Sequence, residues 1–421
     1  MIKQYLKQAW QGYGEHKLQS RLTILGTALS IAMIMVLVLV DQVKNGPFPP
    51  ETHRREMLIV RTMTVETNSD GMKSWSLGGS GLRAIKEFYA DLESTEMMVF
   101  TRQTHVSLAK VGSEAKDDYT LGVVSERYWQ FFDFHFVDGA PFTDEEVKSG
   151  ISNAVISTKV AEELFGGEKA VGETIYINGR DAYKVVGVVR QPSILATYAY
   201  GHIWIPYLSP AGVDKDMSKD EYQGSFSVLL RTDGNGSKNT IRKEVQERVD
   251  QINKLNPEVT ISLLDAPDTY RVSKERRFTE PVDLSSFYIR QIVLLCLFFF
   301  VPAVNIASLT HSRMKKRIAE IGLRKAYGAN NSHILNQVVG ESLLFTLIGT
   351  AIGFAVSLVA IYAMEEIFFG GSSLGISLWT LVRPEIIGIV VLVALLLNVV
   401  SAVIPAVLAS RRSIIDALER S

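Results

Sequence analysis

The side chains that most often carry chemistry are scattered along this 421-residue chain. Its seven histidines include no pair at the H-x-H or H-x-x-x-H spacing that suits a shared metal ion. The only cysteine, Cys296, lies within an apolar stretch, so a disulfide within the chain and a cysteine-cluster zinc site are both excluded. We predict no metal ion and no other cofactor for this chain.

Catalytic carboxylates and phosphate loops are not indicated either. Three acidic clusters, Asp117–Asp118, Asp144–Glu146 and Glu162–Glu163, are typical of a solvated surface. A phosphate-binding P-loop requires a Gly-Lys dipeptide, and the sequence contains none. We therefore predict that the chain is not an enzyme and has no catalytic residue. A net charge of −1 also gives no electrostatic support for nucleic-acid binding.

The most informative pattern is a basic segment at 313–329, which reads RMKKRIAEIGLRKAYGA. Ile318, Ile321 and Lys325 share one face of a helix, and Gly328 is placed to end that helix. One interpretation is a basic hairpin beside anionic lipid headgroups. The other is a short helix that docks a cytosolic partner.

Four apolar stretches, each long enough to cross a bilayer, must position this segment. About 20 apolar residues in a helix span the hydrocarbon core, because each residue adds about 1.5 Å. We predict transmembrane helices at residues 22–40, 286–310, 338–364 and 386–410. Their apolar blocks, at 22–40, 292–309, 342–364 and 386–408, contain no charged residue, so the sequence does not indicate a polar pathway through the membrane.

The flanks of these spans predict their orientation. Residues 1–21, 310–341 and the tail 411–421 are rich in Lys and Arg, whereas 365–385 holds Arg383 and three glutamates. Because basic loops stay on the cytoplasmic side, both termini and the loop 311–337 are predicted to be cytoplasmic, and 365–385 is predicted to be a short periplasmic loop. Residues 1–21 are predicted to form an amphipathic helix on the cytoplasmic headgroups, with an ordinary cytosolic stub as the alternative.

The long segment between the first two spans, residues 41–285, has the composition of a soluble domain with its own core. Strand patterns include Met57–Val65, Thr95–Ala109 and Thr174–Ile177. The spacing of Leu82, Ile85, Tyr89 and Leu92 predicts a helix over 81–93. We predict a main α/β lobe at about 45–127 and 209–275, with a β-rich lobe at about 128–208 inserted into it. The predicted fold class is an α-helical membrane protein with four transmembrane helices and a large two-lobed α+β periplasmic domain.

Several of these segments together resemble the MacB/FtsX-type ABC transporter permeases. In the cytoplasmic loop the similarity lies in the pattern R..KR.AEIGLRKAYGA....IL.Q...ES. In the long segment, YWQFFDFHFVDGAPFT at 128–143 and NAVISTKVAEELFG at 153–166 look like the MacB-like periplasmic core domain. Two departures are the lack of the nucleotide-binding domain that MacB itself carries, and a tail that reads SIIDAL where the family often has a proline.

The resemblance implies a permease subunit of an ABC exporter in the bacterial inner membrane. Such a permease couples ATP hydrolysis by a separate cytosolic ATPase to movement of its periplasmic domain, which expels a substrate from the periplasmic side by mechanotransmission. Alternatives within the resemblance are an FtsX-like signalling protein that activates a periplasmic hydrolase, and a lipoprotein-releasing permease. The implied partners are the ATPase, a second permease copy as homodimer or paralogous heterodimer, membrane lipid and, in an efflux assembly, a periplasmic adaptor and an outer-membrane channel.

The resemblance also implies which residues meet the ATPase. They match the coupling-helix motif of the family and are Arg317, Glu320, Ile321, Gly322, Arg324, Lys325, Gly328 and Ala329. Within the spans, Pro302 permits a bend and Asn305 matches a polar residue of the family that seeks a bond between helices. Gly349 and Gly353 form a G-x-x-x-G pattern that permits close helix packing, either inside one subunit or between two.

Overall fold

The computed structural model describes residues 17–69, 72–213, 222–232, 238–276, 282–294 and 331–363, together with scattered positions in 296–308 and 387–396. These residues belong to two compact units. The helical unit contains the described residues up to Val43 and from Leu284 onward, and the sheet unit contains those from Lys44 to Asp283.

The helices of the described residues are α1 Lys17–Asn45, α2 Leu82–Ala84, α3 Tyr128–Phe131, α4 Asp144–Lys148, α5 Thr158–Phe165, α6 Lys238–Leu255, α7 Tyr270–Ser273 and α8 Asn331–Ala363. A π-helical turn, Ile85–Tyr89, follows α2. The strands are β1 Met57–Val60, β2 Met63–Ser69, β3 Met72–Ser80, β4 Thr95–Lys110, β5 Lys116–Val124, β6 Phe136–Gly139, β7 Asn153–Ser157, β8 Thr174–Ile177, β9 Asp181–Val189, β10 Ile203–Pro206, β11 Gln223–Gly224, β12 Ser227–Thr232, β13 Val259–Ser262 and β14 Asp268–Thr269.

Two helices among the described residues are long and apolar enough to cross a membrane, at Ile24–Gln42 within α1 and Leu343–Ala360 within α8. Both expose large apolar side chains: Leu29 is 72% exposed and Val359 is 69% exposed. Such surfaces need lipid or another helix against them. Helix α8 begins at Asn331, before the predicted start at 338. Residues 284–294 are helical, but most of the second and fourth predicted spans lie outside the described residues, so the count of four remains a prediction.

The sheet unit is built on one ten-stranded sheet with the order β14-β1-β12-β4-β5-β10-β7-β9-β6, in which β8 pairs with β4 and β9. Its central strands are buried on both sides, and successive side chains enter different cores because a strand alternates its faces. Leu58 and Val60 of β1, for example, pack in one core, whereas Met57 and Ile59 pack in the other. This explains why the strands read as nearly continuous apolar runs.

The predicted separation of two lobes does not correspond to the division that the structure makes. Strands β6–β10 come from the predicted inserted lobe, yet they continue the sheet of the predicted main lobe. The junction is a parallel pairing in which Ile203 to Pro206 of β10 lie opposite Leu121 to Val124 of β5. Because backbone hydrogen bonds cross this junction, the two segments share one sheet and one pair of cores.

A second sheet has four strands in the order β11-β3-β2-β13. The predicted single strand Met57–Val65 is divided between the two sheets: β1 pairs with β12 and β14, and β2 pairs with β3 and β13. The break falls at Arg61 and Thr62, which lie in neither strand. The helix expected over 81–93 is instead the short α2 and the π-helical turn, which ends at Tyr89.

Candidate functional site

The sheet unit begins at Lys44, one residue before the end of α1. It ends at Asp283, shortly before the second predicted span begins at residue 286. The first and last parts of the unit meet in a polar cluster. We call it the root cluster and define it by five residues: Glu51, Arg54, Tyr198, Tyr270 and Lys274.

Arg54 is the centre of the root cluster. Its side chain is 2% exposed, and its Nε donates to Glu51 Oε2 at 2.7 Å. The two terminal nitrogens donate to backbone carbonyls, one to Gly46 O at 2.8 Å and the other to Leu195 O at 2.6 Å. The five donors of a guanidinium form a planar fork, so one arginine can hold segments that are far apart in sequence.

Glu51 completes the charge pair from inside the protein. Its side chain is fully buried, and its Oε1 accepts from the backbone N–H groups of Tyr198 and Ala199 at 2.7 and 3.0 Å. The local reason for the pairing is spacing, because residues three apart in the turn at 51–56 face each other. A buried carboxylate is tolerated when its oxygens are used by hydrogen bonds and an opposite charge, as they are here.

The outgoing end of the chain contributes Tyr270 and Lys274 on and just after α7. The Tyr270 ring lies between two cations, with the Arg54 guanidinium 4.6 Å and the Lys274 ammonium 4.3 Å from its centre. Its hydroxyl donates to Leu195 O at 3.1 Å. Lys274 Nζ donates to Lys44 O at 2.9 Å, which joins the last part of the unit to its first residue.

A second buried ion pair stabilises the same end of the chain. Arg276 uses Nε and a terminal nitrogen to bind both oxygens of Asp268, and its other terminal nitrogen donates to Leu264 O at 2.6 Å. The Tyr198 hydroxyl also donates to Ser273 Oγ at 2.8 Å. Side-chain hydrogen bonds of Asp268, Ser273 and Arg276 therefore hold this segment in place.

Three members of the root cluster have shifted pKa values. Burial raises the pKa of the Tyr198 hydroxyl to about 12 and raises the pKa of the Tyr270 hydroxyl further. Burial is also the main reason that the pKa of Lys274 falls to about 8, and the Arg54 charge lowers it further. Tyrosine hydroxyls with a raised pKa are poorly matched to general acid–base catalysis near neutral pH. The arrangement is suited to holding segments together.

The residues that sequence reasoning assigned to the ATPase contact cannot be placed. Arg317, Glu320, Ile321, Gly322, Arg324, Lys325, Gly328 and Ala329 lie outside the described residues, and so do Pro302 and Asn305. Their roles remain predictions. Among the described residues no group of histidine, cysteine and acidic side chains is placed to hold a metal ion.

Gly349 and Gly353 of α8 lie against α1 in the helical unit. A Cβ added at Gly349 would come within 2.8 Å of Thr27 Cβ, and one at Gly353 within 2.5 Å of Ala28 O. These distances are too short for any side chain, so both glycines permit the two helices to approach closely. The structure thus places the pair at a contact inside one subunit.

The root cluster had no signal strong enough to find in the sequence. An acid and an arginine three residues apart are common on exposed turns. The partners that bury this pair are Leu195, Tyr198 and Tyr270, which follow it by more than 140 residues.

Two family models match the chain. The MacB-like periplasmic core domain matches residues 20–248, and the FtsX-like permease C-terminal domain matches residues 292–414. The chain is 22% identical over 416 residues to the uncharacterized ABC transporter permease YknZ of Bacillus subtilis (strain 168), covering 96% of this chain and 95% of that protein. It is 24% identical over 432 residues to the macrolide export ATP-binding/permease protein MacB 1 of Yersinia pestis bv. Antiqua (strain Antiqua), of which it spans 61%.

Solved structures with similarity to the chain are periplasmic or extracellular regions of such proteins. The periplasmic region of MacB from Actinobacillus actinomycetemcomitans is 15% identical with a TM-score of 0.35, covering 52% of this chain and 94% of that one. The extracellular domain of YknZ from Gram-positive bacteria is 18% identical with a TM-score of 0.33, covering 48% and 99%. Because the first family model alone matches more than half of the chain, this protein belongs to the MacB/FtsX-like family of ABC transporter permeases, membrane proteins with a periplasmic domain, which here is the sheet unit.

Proposed function

We propose that this chain is the permease subunit of an ABC exporter and works by mechanotransmission. A separate cytosolic ATPase binds the loop 311–337 and hydrolyses ATP, since the sequence contains no P-loop. The closure of that ATPase moves the helices, and the helices move the periplasmic domain, which expels substrate from the periplasmic side. A second permease copy completes the transporter.

The root cluster is the observation that best supports this proposal. A domain can be driven through its two chain ends only if those ends are fixed to its body. Arg54 fixes the incoming end to Gly46 and Leu195, and Lys274 fixes the outgoing end to Lys44. With the incoming end held by a buried arginine and the outgoing end bonded to it, a displacement of the incoming chain is passed to the domain instead of being absorbed by a loose linker.

The first test identifies the partner and measures coupling. The chain is purified in mild detergent with everything that it retains, and the retained proteins are identified by mass spectrometry. ATP hydrolysis by the retained ATPase is then measured with and without the permease in nanodiscs. We expect Glu320→Lys and Gly328→Val to abolish binding or stimulation of the ATPase, while Glu15→Lys, a charge reversal outside the motif, leaves both unchanged. Full stimulation by both motif variants would overturn the assigned contact, and retention of a periplasmic hydrolase would replace export by signalling.

The second test addresses topology. In a Cys296→Ser background, single cysteines are introduced at Gly234 and at Asn330, and intact spheroplasts are treated with a membrane-impermeant thiol reagent. We expect label at 234 but not at 330, because the Lys and Arg bias puts the termini and the 311–337 loop in the cytoplasm. The reverse labelling pattern would contradict the orientation.

A further inference from the structure

One stretch of the ten-stranded sheet has an open edge. Strand β4 pairs with β12 from Thr95 to Thr101, but on its other side β5 pairs with β4 only from Thr101 onward. After Val124 the chain turns away at Ser125–Arg127, where Arg127 has a positive φ of 60°, and enters α3. In the described part of the chain, no strand lies beside residues 95–98 on that side.

The direction of the backbone groups on this edge follows from one pair of bonds. Phe100 N–H donates to Ser125 Oγ at 2.9 Å, and Phe100 C=O accepts from Ser125 N–H at 3.1 Å. Backbone groups alternate between the two sides of an antiparallel strand. The N–H and C=O groups of Met98 therefore point to the open side, whereas those of Val99 point to β12. A register shift against β12 between Met97 and Thr95 ends this alternation at Glu96.

A cavity of about 490 Å³ lies along this edge. Its walls are the backbone edge of β4, residues 89–92 at and just after the end of the π-helical turn, and the turn at 125–127. Ligand pockets in proteins are typically about 300–1,000 Å³, so the cavity is large enough for a short chain segment. We call this cavity the edge slot. The Thr95 hydroxyl, which lines it, is buried without a hydrogen-bond partner among the described residues.

The lining of the edge slot contains both buried apolar side chains and charged side chains. Tyr89, Leu92, Met97 and Phe100 are buried side chains of the lining. Charged residues of the lining are Asp91, Glu96, Glu126 and Arg127. Glu96 already pairs with Arg231 at 3.0 Å, and the remaining charges still leave an acidic excess. The periplasmic domain as a whole is acidic too, with 30 Lys and Arg against 37 Asp and Glu over residues 41–291.

The geometry points to the edge slot as a binding site for a short extended peptide with basic side chains. The peptide lies beside β4 where β5 would continue, and it bonds to the backbone of Met98, as in other cases of strand addition. Its basic side chains face the acidic residues, and apolar side chains in alternation contact the apolar residues of the lining. A short peptide fits better than a folded partner, because a stable protein–protein interface buries at least about 1,000 Å² and the slot is only a few residues long.

The interpretation of the edge slot as a site for transported cargo rests on the proposed function. Peptide binding is tested without the ATPase, so a negative binding result would leave the coupling test untouched. The probe is a fluorescent hexapeptide that alternates lysine and valine, titrated against the full chain in detergent and followed by anisotropy. Two matched peptides serve as controls, one with glutamate in place of lysine and one with N-methyl groups on alternate amides. We expect saturable binding of the lysine peptide and at least a tenfold weaker affinity for both controls.

Variants connect the binding to the edge slot. We expect Glu126→Lys and Met98→Pro to weaken binding at least tenfold, because the first reverses an acidic wall and the second removes the N–H that faces the slot. Glu173→Lys, which reverses an exposed acid elsewhere on the domain, should bind as the original chain does. Near-ultraviolet circular dichroism checks that each variant is folded.

Amide hydrogen exchange of the original chain gives a readout that does not depend on a variant. Peptide should slow exchange at Met98 and leave Val99, which pairs with Leu229, unchanged. The inference is overturned if the lysine peptide shows no saturable binding at millimolar concentration, if N-methylation has no effect on its affinity, or if the Met98 amide exchanges equally with and without peptide.

Discussion

Two regions of the periplasmic domain contain the same three types of side chain in contact, an arginine, a glutamate and a tyrosine. In the root cluster Arg54 pairs with Glu51 and lies 4.6 Å from the centre of the Tyr270 ring. Near the π-helical turn Arg83 pairs with Glu87 and lies 4.4 Å from the centre of the Tyr222 ring. We call the second group the helix trio. The pairwise geometry is similar, but the surroundings differ.

Burial is the first difference. The side chains of Arg54 and Glu51 are 2% and 0% exposed, whereas those of Arg83 and Glu87 are 41% and 30% exposed. Water and salt screen the exposed pair, so it contributes little to the free energy of unfolding. The buried pair keeps its full electrostatic interaction, and either partner alone would be a costly charge in the interior.

The second difference is how far apart in sequence the joined groups lie. The pair in the helix trio joins residues four apart on one short helical segment, and only Tyr222, whose hydroxyl donates to Glu87 at 2.8 Å, comes from far along the chain. The root cluster binds backbone groups of Gly46, Leu195 and Tyr198 as well as the ring of Tyr270. The comparison indicates that an ion pair joins distant parts of a fold when it is buried and bonded to the backbone, and not because of its charges alone.

The largest expected effect comes from Arg54→Met. The variant leaves Glu51 charged and unpaired in the interior, which typically lowers the free energy of unfolding by about 3–5 kcal/mol. Urea unfolding of the full chain in detergent, followed by tryptophan emission, measures the loss. The double variant Glu51→Met with Arg54→Met removes both charges and should recover part of it. A loss below about 1 kcal/mol for Arg54→Met would show that the buried pair behaves like the exposed one.

Arg54→Lys distinguishes the contribution of the positive charge from that of the hydrogen bonds to distant backbone groups. Lysine keeps a positive charge beside Glu51 but has no planar fork, so it cannot bond Glu51, Gly46 and Leu195 at the same time. With about two hydrogen bonds lost at roughly 1 kcal/mol each, we expect a decrease of about 2 kcal/mol in the free energy of unfolding. The same urea titration measures it. If the Arg54→Lys variant were as stable as the original chain, the bonds to the Gly46 and Leu195 carbonyls would not contribute to stability.

Arg83→Met should have a smaller effect, below about 1 kcal/mol, because exposed pairs at this spacing contribute only a few tenths. Raising the salt concentration to 1 M should reduce even this difference, whereas the effect of Arg54→Met should change little. The melting temperature of each variant at low and high salt gives the comparison. Equal salt sensitivity of the two variants would contradict the assigned difference in burial.

The last expected effect is a change in how stability depends on pH, and it is seen over a pH range and not at one pH. The pKa of Lys274 is about 8 in the folded protein and lies near its ordinary value of 10.5 when unfolded. Between these values the unfolded chain binds more protons, so Lys274 makes stability rise with pH from about 8 to 10.5 and has its full destabilising effect below 8. Lys274→Met should lack this rise. The check is the difference in unfolding free energy between the two proteins from pH 7 to 10, and a difference that stays constant would contradict the shifted pKa.

The sheet strands illustrate what sequence patterns can predict. The expected strand Thr174–Ile177 has the observed bounds, and the expected strand Thr95–Ala109 is one residue short of β4. These strands alternate or are continuously apolar, and burial fixes such patterns strongly. Strand β3 was missed because MKSWSLGGS is rich in glycine and serine. Seven of its residues pair with the preceding strand β2, and the dipeptide Asp70-Gly71 between the two strands is a hairpin signal that could have revealed it.

The site was harder to predict than the fold, for a related reason. Loop residues 313–329 were found because a contiguous motif carries them, although they lie outside the described residues. Glu51 and Arg54 had no such motif. Their role depends on folding that brings Leu195, Tyr198 and Tyr270 onto them, and only the completed sheet does so. The open edge of β4 was equally invisible, because it depends on where β5 ends.

The bond between Lys274 Nζ and Lys44 O has a consequence for the history of such permeases. A domain whose first residue is bonded to a residue near its end can be inserted into a host chain, or removed from it, without separating the neighbouring segments of the host. The periplasmic domain is therefore a module in the evolutionary sense. Related membrane helices can acquire, lose or exchange domains of different size at this position, and a transplanted domain needs only a matching pair of closely spaced ends.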